Sequence, residues 1–289
     1  MYRLRCLSKR VQVKTSPALS TQRTERMDLS EMYFLDTQIL LDFLYERRPN
    51  HVQCRSFCDD LPPNMTLVQQ EVIIELTNIL LNAVSIYSAE LRNGIKRAKA
   101  AGNDWNNLKQ DERARILENV AVRISGNPDP NVRRFAVFVQ ALIRDTLLQI
   151  CDQDEEKVLK FLGSVTSSYT WIIIERIKQR FVNVHLASNG QEVYDFRKQI
   201  AECFNNQHVF QANQSQDMVI LGELCAMSKF GFVAYDSNKV FSEKEFTFCL
   251  RDKAFMAICL KLQSLLCNGK GNSSDFCKPI SSITFVKPY

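Results

Sequence analysis

The stretch Glu31-Met-Tyr-Phe-Leu-Asp36-Thr-Gln-Ile-Leu-Leu41 sets an apolar run directly against an acid, and a second apolar run, Ile39 to Leu44, begins three residues later. The first run is strand length, and the second repeats with helical spacing. A strand followed at once by a helix is the opening of an α/β unit. Parallel strands in such units need crossover connections, and ligands gather in the crevice at the strands' carboxyl ends. Asp36 stands where a ligand-facing carboxylate would stand, and it equally suits the N-cap of the helix that follows.

The totals limit the classes. The chain has 289 residues, enough for one or two domains with a full core, and it is 45% apolar and 24% charged, as globular proteins are. No uninterrupted apolar run reaches the roughly 20 residues that span a bilayer, so no membrane role is expected. The net charge of +5 is unevenly placed: residues 1–26 carry seven basic side chains and one acid, Glu25, so that segment is +6 and the remainder −1. A nucleic-acid-binding field over the whole chain is not indicated. Residues 1–29 are read as a basic arm without a fold of its own. A transit-type segment, or sequence upstream of a start at Met27, are the other readings. The ten cysteines include no CxxC pair and fall mostly within apolar patterns, as at Cys225, Cys249 and Cys259. With no secretory signal they read as reduced and buried, in a cytoplasmic protein. His51-x2-Cys54-x3-Cys58 offers three ligands where a zinc site needs about four.

Along the chain, Pro49 closes the first helix and a second spans about 50–60. Met65-Thr-Leu-Val68 reads as a strand. From Gln70 the apolar stripe Val72, Ile73, Leu76, Ile79, Leu80, Val84 predicts a long helix, with Glu71 and Glu75 on one face. Helices are expected at 83–101, 109–124, 131–151, 154–163 and 167–181, then a strand at 182–186 and a helix over 190–205. The span 83–207 is thus a large helical insertion. Between residues 90 and 150 it holds eleven basic and seven acidic side chains, a solvated face or a phosphate-contacting rim. A helix from Asp217 to Phe230 ends at Gly231, and Phe232-Val-Ala-Tyr235 then reads as a strand that again leads into an acid, Asp236. A helix over 244–267, a turn at 269–274 and a strand at 283–286 complete the pattern.

Asp36, Glu75, Asp217 and Asp236 are therefore the candidate site. Taken singly, Asp36 and Asp236 suit caps of the helices or turns that follow, Asp217 suits a helix N-terminus, and Glu75 suits a surface position. Together at one sheet edge, four carboxylates repel one another unless a cation intervenes. Mg2+ or Mn2+ takes oxygen ligands and leaves positions for a phosphate, which points to hydrolysis of phosphodiesters. No Gly-rich phosphate loop and no Ser–His or Cys–His arrangement offers another chemistry.

Phe34-Leu-Asp36-Thr-Gln-Ile-Leu-Leu41, Val72-Ile-Ile-Glu75-Leu, Asp217-Met-Val-Ile-Leu and Gly231-Phe-Val-Ala-Tyr-Asp236 resemble, in order, the four acidic motifs of PIN-domain nucleases. The resemblance covers roughly residues 30–82 and 208–250. It implies a PIN-like three-layer α/β/α domain over 30–289 with a central, mostly parallel sheet, interrupted by the helical insertion. It also implies Mg2+ or Mn2+ held by Asp36, Glu75, Asp217 and Asp236, and a metal-dependent endoribonuclease acting on RNA. The toxin of a toxin–antitoxin pair, with a protein inhibitor or a homodimer as partner, is one such role. Three positions depart from the pattern: Gln38 stands where Asn is usual, Ala234 where Thr or Ser is common, and Asn238 where some members carry a further acid. A catalytically weak PIN-like module that binds nucleic acid or protein is the alternative. A third is a helical interaction protein in which the acids are only caps.

Overall fold

The computed structural model describes residues 32–61, 65–206, 215–235, 240–241, 246–250, 277–279, 281 and 283. The fold is mixed α/β. It opens with β1 (Met32–Leu35), α1 (Thr37–Leu44), α2 (His51–Asp60), β2 (Thr66–Gln69) and α3 (Gln70–Ala100). Next come α4 (Gln110–Ser125), α5 (Pro130–Arg133), α6 (Ala136–Cys151), α7 (Glu155–Arg180) and β3 (Val182–Leu186). Last are α8 (Gln191–Asn206), α9 (Ser215–Phe230), β4 (Phe232–Ala234), β5 (Val240–Phe241), β6 (Phe246–Leu250) and β7 (Cys277–Pro279). The seven strands form one sheet in the order β5-β4-β3-β2-β1-β6-β7. The pairings β3–β2, β2–β1, β1–β6 and β6–β7 are parallel, while β4 and β5 run antiparallel at the β3 edge.

β1 occupies the centre of the parallel strands, which is why Met32, Tyr33, Phe34 and Leu35 are all buried rather than alternately so. The buried cluster around the sheet takes Ile39, Leu40 and Leu41 from α1, Val72 to Ala83 from α3, Ile173 to Ile177 from α7, and Ile220 to Met227 from α9. A second buried cluster lies among the helices and takes Val84 to Ile95 from α3, Leu117 to Ile124 from α4, and Val158 to Val165 from α7. Helices α3 and α7 thus each give one half to the sheet core and the other half to the helical core. α3 is long and apolar enough to cross a membrane by length and composition. Its apolar stripe is instead filled by the sheet and by α4, α6, α7 and α9. Arg113 ties the far end together: it donates to the carbonyls of Trp105, Cys151 and Gln153 at 2.8–3.0 Å, and the Trp105 indole donates to Gln153.

Several expectations change. The boundary at residue 83 falls inside α3, because the apolar stripe continues unbroken into the second core. The helices at 154–163 and 167–181 are one helix, α7, since no Gly or Pro pair interrupts them, whereas 131–151 is split at Arg134 and Phe135. The start of the helix expected over 244–267 is a strand, β6. A five-residue run such as Phe246-Thr-Phe-Cys-Leu250 fits either period, and Thr247, Phe248 and Cys249 are buried as a central strand requires. Residues 251–276 lie outside the described residues, as do 284–286 of the expected last strand; β7 precedes that position. β5 was not anticipated.

Candidate functional site

Each parallel strand delivers its successor to one edge of the sheet, so the residues just after β1 and β2 are neighbours by construction. Asp36 follows β1 directly. Its backbone N–H donates to the Cys249 carbonyl of β6 at 3.2 Å, extending the ladder by one step. Its φ and ψ of −72° and 153° are extended, and its Oδ2 accepts the Gln38 N–H at 3.2 Å. The cap expected from sequence is real, and it holds the carboxylate at the sheet edge. Glu75 lies on α3, just over one turn beyond β2. The buried Thr37 hydroxyl donates to its Oε2, fixing one carboxylate against the first turn of α1. Asp217 sits in the first turn of α9.

These three acids sense one another. Burial first, then the Glu75 charge, raises the Asp36 carboxyl from 3.8 to about 7; the Gln38 N–H opposes this, and the Asp217 charge adds to it. Asp217 is raised to about 6, by burial first and then by Glu75. Glu75 is also raised by burial, against the lowering pull of the Thr37 hydroxyl. Elevation of the kind seen at Asp36 and Asp217 arises when like charges share a poorly solvated space. Three elements distant in sequence therefore bring Asp36, Glu75 and Asp217 to one place.

The donors are all carboxylate oxygens, the set that suits Mg2+ or Mn2+. The carboxylates are close enough to repel. Even so, among the described residues no group of three or more His, Cys, Asp or Glu side chains is gathered tightly enough to hold an ion as it stands. One oxygen of Glu75 is meanwhile engaged by Thr37. The set fits a hard divalent cation in charge and chemistry, and side-chain rotation would have to supply the convergence.

Asp236 is different. It lies outside the described residues, and the strand before it does not pair with β1. β4 pairs antiparallel with β3, Phe232 opposite Leu186 and Ala234 opposite Val184, and the Tyr235 N–H bonds to the Asn183 carbonyl near the start of β3. Its chain direction thus leads from the carboxyl edge of the parallel strands toward their amino edge. The strand that ends beside Asp36 is β6, with Leu35 opposite Cys249. The first acid after β6 in the sequence is Asp252, outside the described residues. Reading 244–267 as a helix hid that relation; the signal for it was the aromatic and β-branched content of 246–250.

Glu71 does not join the three. It faces Glu223 of α9 and Arg197 of α8, which form an ion pair, and its carboxyl is raised by burial and then by Glu223. Sequence reading passed over Glu223, buried within an apolar helix whose charge makes sense only with Arg197 beside it. The His51, Cys54, Cys58 cluster holds no metal-ready group: His51 Nδ1 bonds the Asp42 carbonyl at 2.7 Å, and burial pushes the Cys58 thiol up. The basic side chains of 90–150 are partly consumed internally, Arg113 above all, and a cleft lined by Arg92, Lys96 and Glu155 lies about 25 Å along α3 from Glu75. No protein-family model matches the chain, and no curated protein or solved structure is significantly similar to it.

Proposed function

We propose that the chain is a metal-dependent ribonuclease of PIN-like type, hydrolysing RNA phosphodiesters at the edge where Asp36, Glu75 and Asp217 meet. The observation that carries this reading is the placement of three carboxylates from three separate elements, with Thr37, next to Asp36, bonded to Glu75: each is destabilised by burial, and Asp36 and Asp217 also by the Glu75 charge. A fold that keeps buried like charges together is keeping them for a cationic ligand or for proton transfer. Mg2+ or Mn2+ bound there would supply charge neutralisation and a water of lowered pKa. The chain's own part is positional. The Gln38 N–H aims Asp36, Thr37 aims Glu75, and the first turn of α9 presents Asp217 from the opposite helix.

The test is cleavage of single-stranded RNA with Mg2+ or Mn2+, repeated in chelator and with Asp36→Asn. Loss of at least about 10²-fold on either change is expected. Full activity in chelator would sink the proposal. A second reading, a PIN-like module that binds without cutting, is favoured by one observation: the Thr37–Glu75 hydrogen bond already satisfies part of the acid set. Calorimetry separates the two, since no Mn2+ uptake near neutral pH leaves only the binding module.

A further inference from the structure

We infer that Arg48 is a positioning residue for the Asp36 site, linking the first turn of α1 to helix α6 of the helical insertion. The connection between α1 and α2 docks on α6 at four points. The Tyr45 ring meets Phe138 edge-on at 4.7 Å, and Arg47 Nη1 donates to Gln140 Oε1 at 2.7 Å. Glu46 lies 3.8 Å from Arg144, and the Arg48 guanidinium lies over the Phe138 ring at 5.6 Å.

That same guanidinium reaches back to α1. Its Nε pairs with Asp42, which is fully buried, and its Nη2 donates to Gln38 Oε1 at 2.9 Å. Gln38 and Asp42 are four apart and share a helix face, so the fork clamps two successive turns. Gln38 is also the residue whose backbone N–H holds the Asp36 carboxylate, while the N–H groups of Ile39 and Leu40 bond the Asp36 carbonyl at 3.1 and 3.3 Å. A planar guanidinium presents its donors in a fixed fork that spans the carboxylate and the amide together; an ammonium is a compact point charge whose rotatable donors do not reproduce that geometry. The glutamine that departs from the family pattern is thus anchored by an arginine, and the arginine by an aromatic ring of the insertion.

The consequence for catalysis rests on the nuclease reading; the structural link does not. The test therefore has two readouts on the full-length chain: amide hydrogen exchange at Gln38, Ile39 and Leu40, and steady-state cleavage of single-stranded RNA with Mn2+. Gln38→Met removes the acceptor and keeps the length. Arg48→Lys keeps the charge opposite Asp42, where complete removal would leave a buried acid unpaired and risk unfolding. Both variants are expected to speed exchange at these three amides by about tenfold or more, with α8 amides unchanged. Both should also lower kcat by about tenfold with KM within about twofold, as misaligned groups do. Unchanged exchange in both variants overturns the link whatever the activity. Faster exchange with unchanged kcat overturns the positioning role. A wild-type chain that cleaves no RNA defeats the nuclease reading, and exchange alone then decides the link.

Discussion

Replacing Asp36 with Asn should make the metal-free protein more stable while abolishing its chemistry. The Asp36 carboxyl is raised from 3.8 to about 7, a difference of about 3 units. At 1.36 kcal/mol per unit, that is about 4 kcal/mol against the ionised form in the folded state. Asp36 keeps some contact with solvent, and screening there reduces the figure to about 2 kcal/mol. Asn has the same shape, keeps an oxygen for the Gln38 N–H, and carries no charge for Glu75 or Asp217 to repel.

The sign follows from proton linkage. Between pH 4 and 7 the folded state binds more protons at Asp36 than the unfolded chain does, so stability falls as pH rises through that window. The wild-type protein should therefore lose about 2 kcal/mol between pH 4 and 8 from this group alone, and Asp36→Asn should lose none of it. Thermal unfolding in chelator reads the difference. Asp36→Asn should melt about 4–8 °C above wild type at pH 8, at 2–4 °C per kcal/mol for a chain of this size, and alongside it at pH 4. Adding Mn2+ should then stabilise wild type by mass action and leave the variant in place. A variant that melts below wild type at pH 8 would refute the reasoning, since it would mean that the ionised carboxylate is supported rather than strained.

Two further outcomes follow from the backbone. Because β6, not β4, ends beside Asp36, Asp252→Asn should lower RNA cleavage by about 10²-fold and Asp236→Asn by less than about threefold; equal losses would return the fourth acid to Asp236. Gly231 has φ of 87° and its N–H bonds the Met227 carbonyl at 2.8 Å, so Gly231→Ala should cost about 1–2 kcal/mol in urea denaturation, and an unchanged midpoint would contradict the left-handed cap.

The parts of this fold that could be read from sequence are those whose cause is local. The β1–α1 opening was legible because four apolar residues, a capping acid and a helical stripe follow one another without a gap. Gly231 was legible because an apolar helix ended on a residue free to turn left-handed, and the structure gives it that conformation. Glu75 could be nominated from its place near the start of a helix and Asp217 from a helical first turn, but their meeting depends on α9 crossing to α3 after more than a hundred intervening residues. What stayed hidden were the relations between partners. Arg48 looked like part of a helix-breaking Arg-Arg-Pro, and only the fold sets it between Gln38 and Phe138. Glu223 looked like an isolated charge until Arg197 stood opposite.

The most consequential misreading was that of the strand beside β1. Phe232-Val-Ala-Tyr and Phe246-Thr-Phe-Cys-Leu are both short apolar runs followed within two residues by an acid, and nothing in their periodicity ranks them. Direction decides between them. A chain that turns at Gly231 immediately after a helix lying over the carboxyl edge must start its next strand at that edge and run away from it. β4 is accordingly antiparallel. β5 pairs antiparallel with β4, and β6 runs parallel to β1 and ends where Asp36 begins. On the nuclease reading, a fourth acid to accompany Asp36, Glu75 and Asp217 is therefore to be sought after β6 rather than after β4, because of these two strands it is β6 that finishes on their side of the sheet.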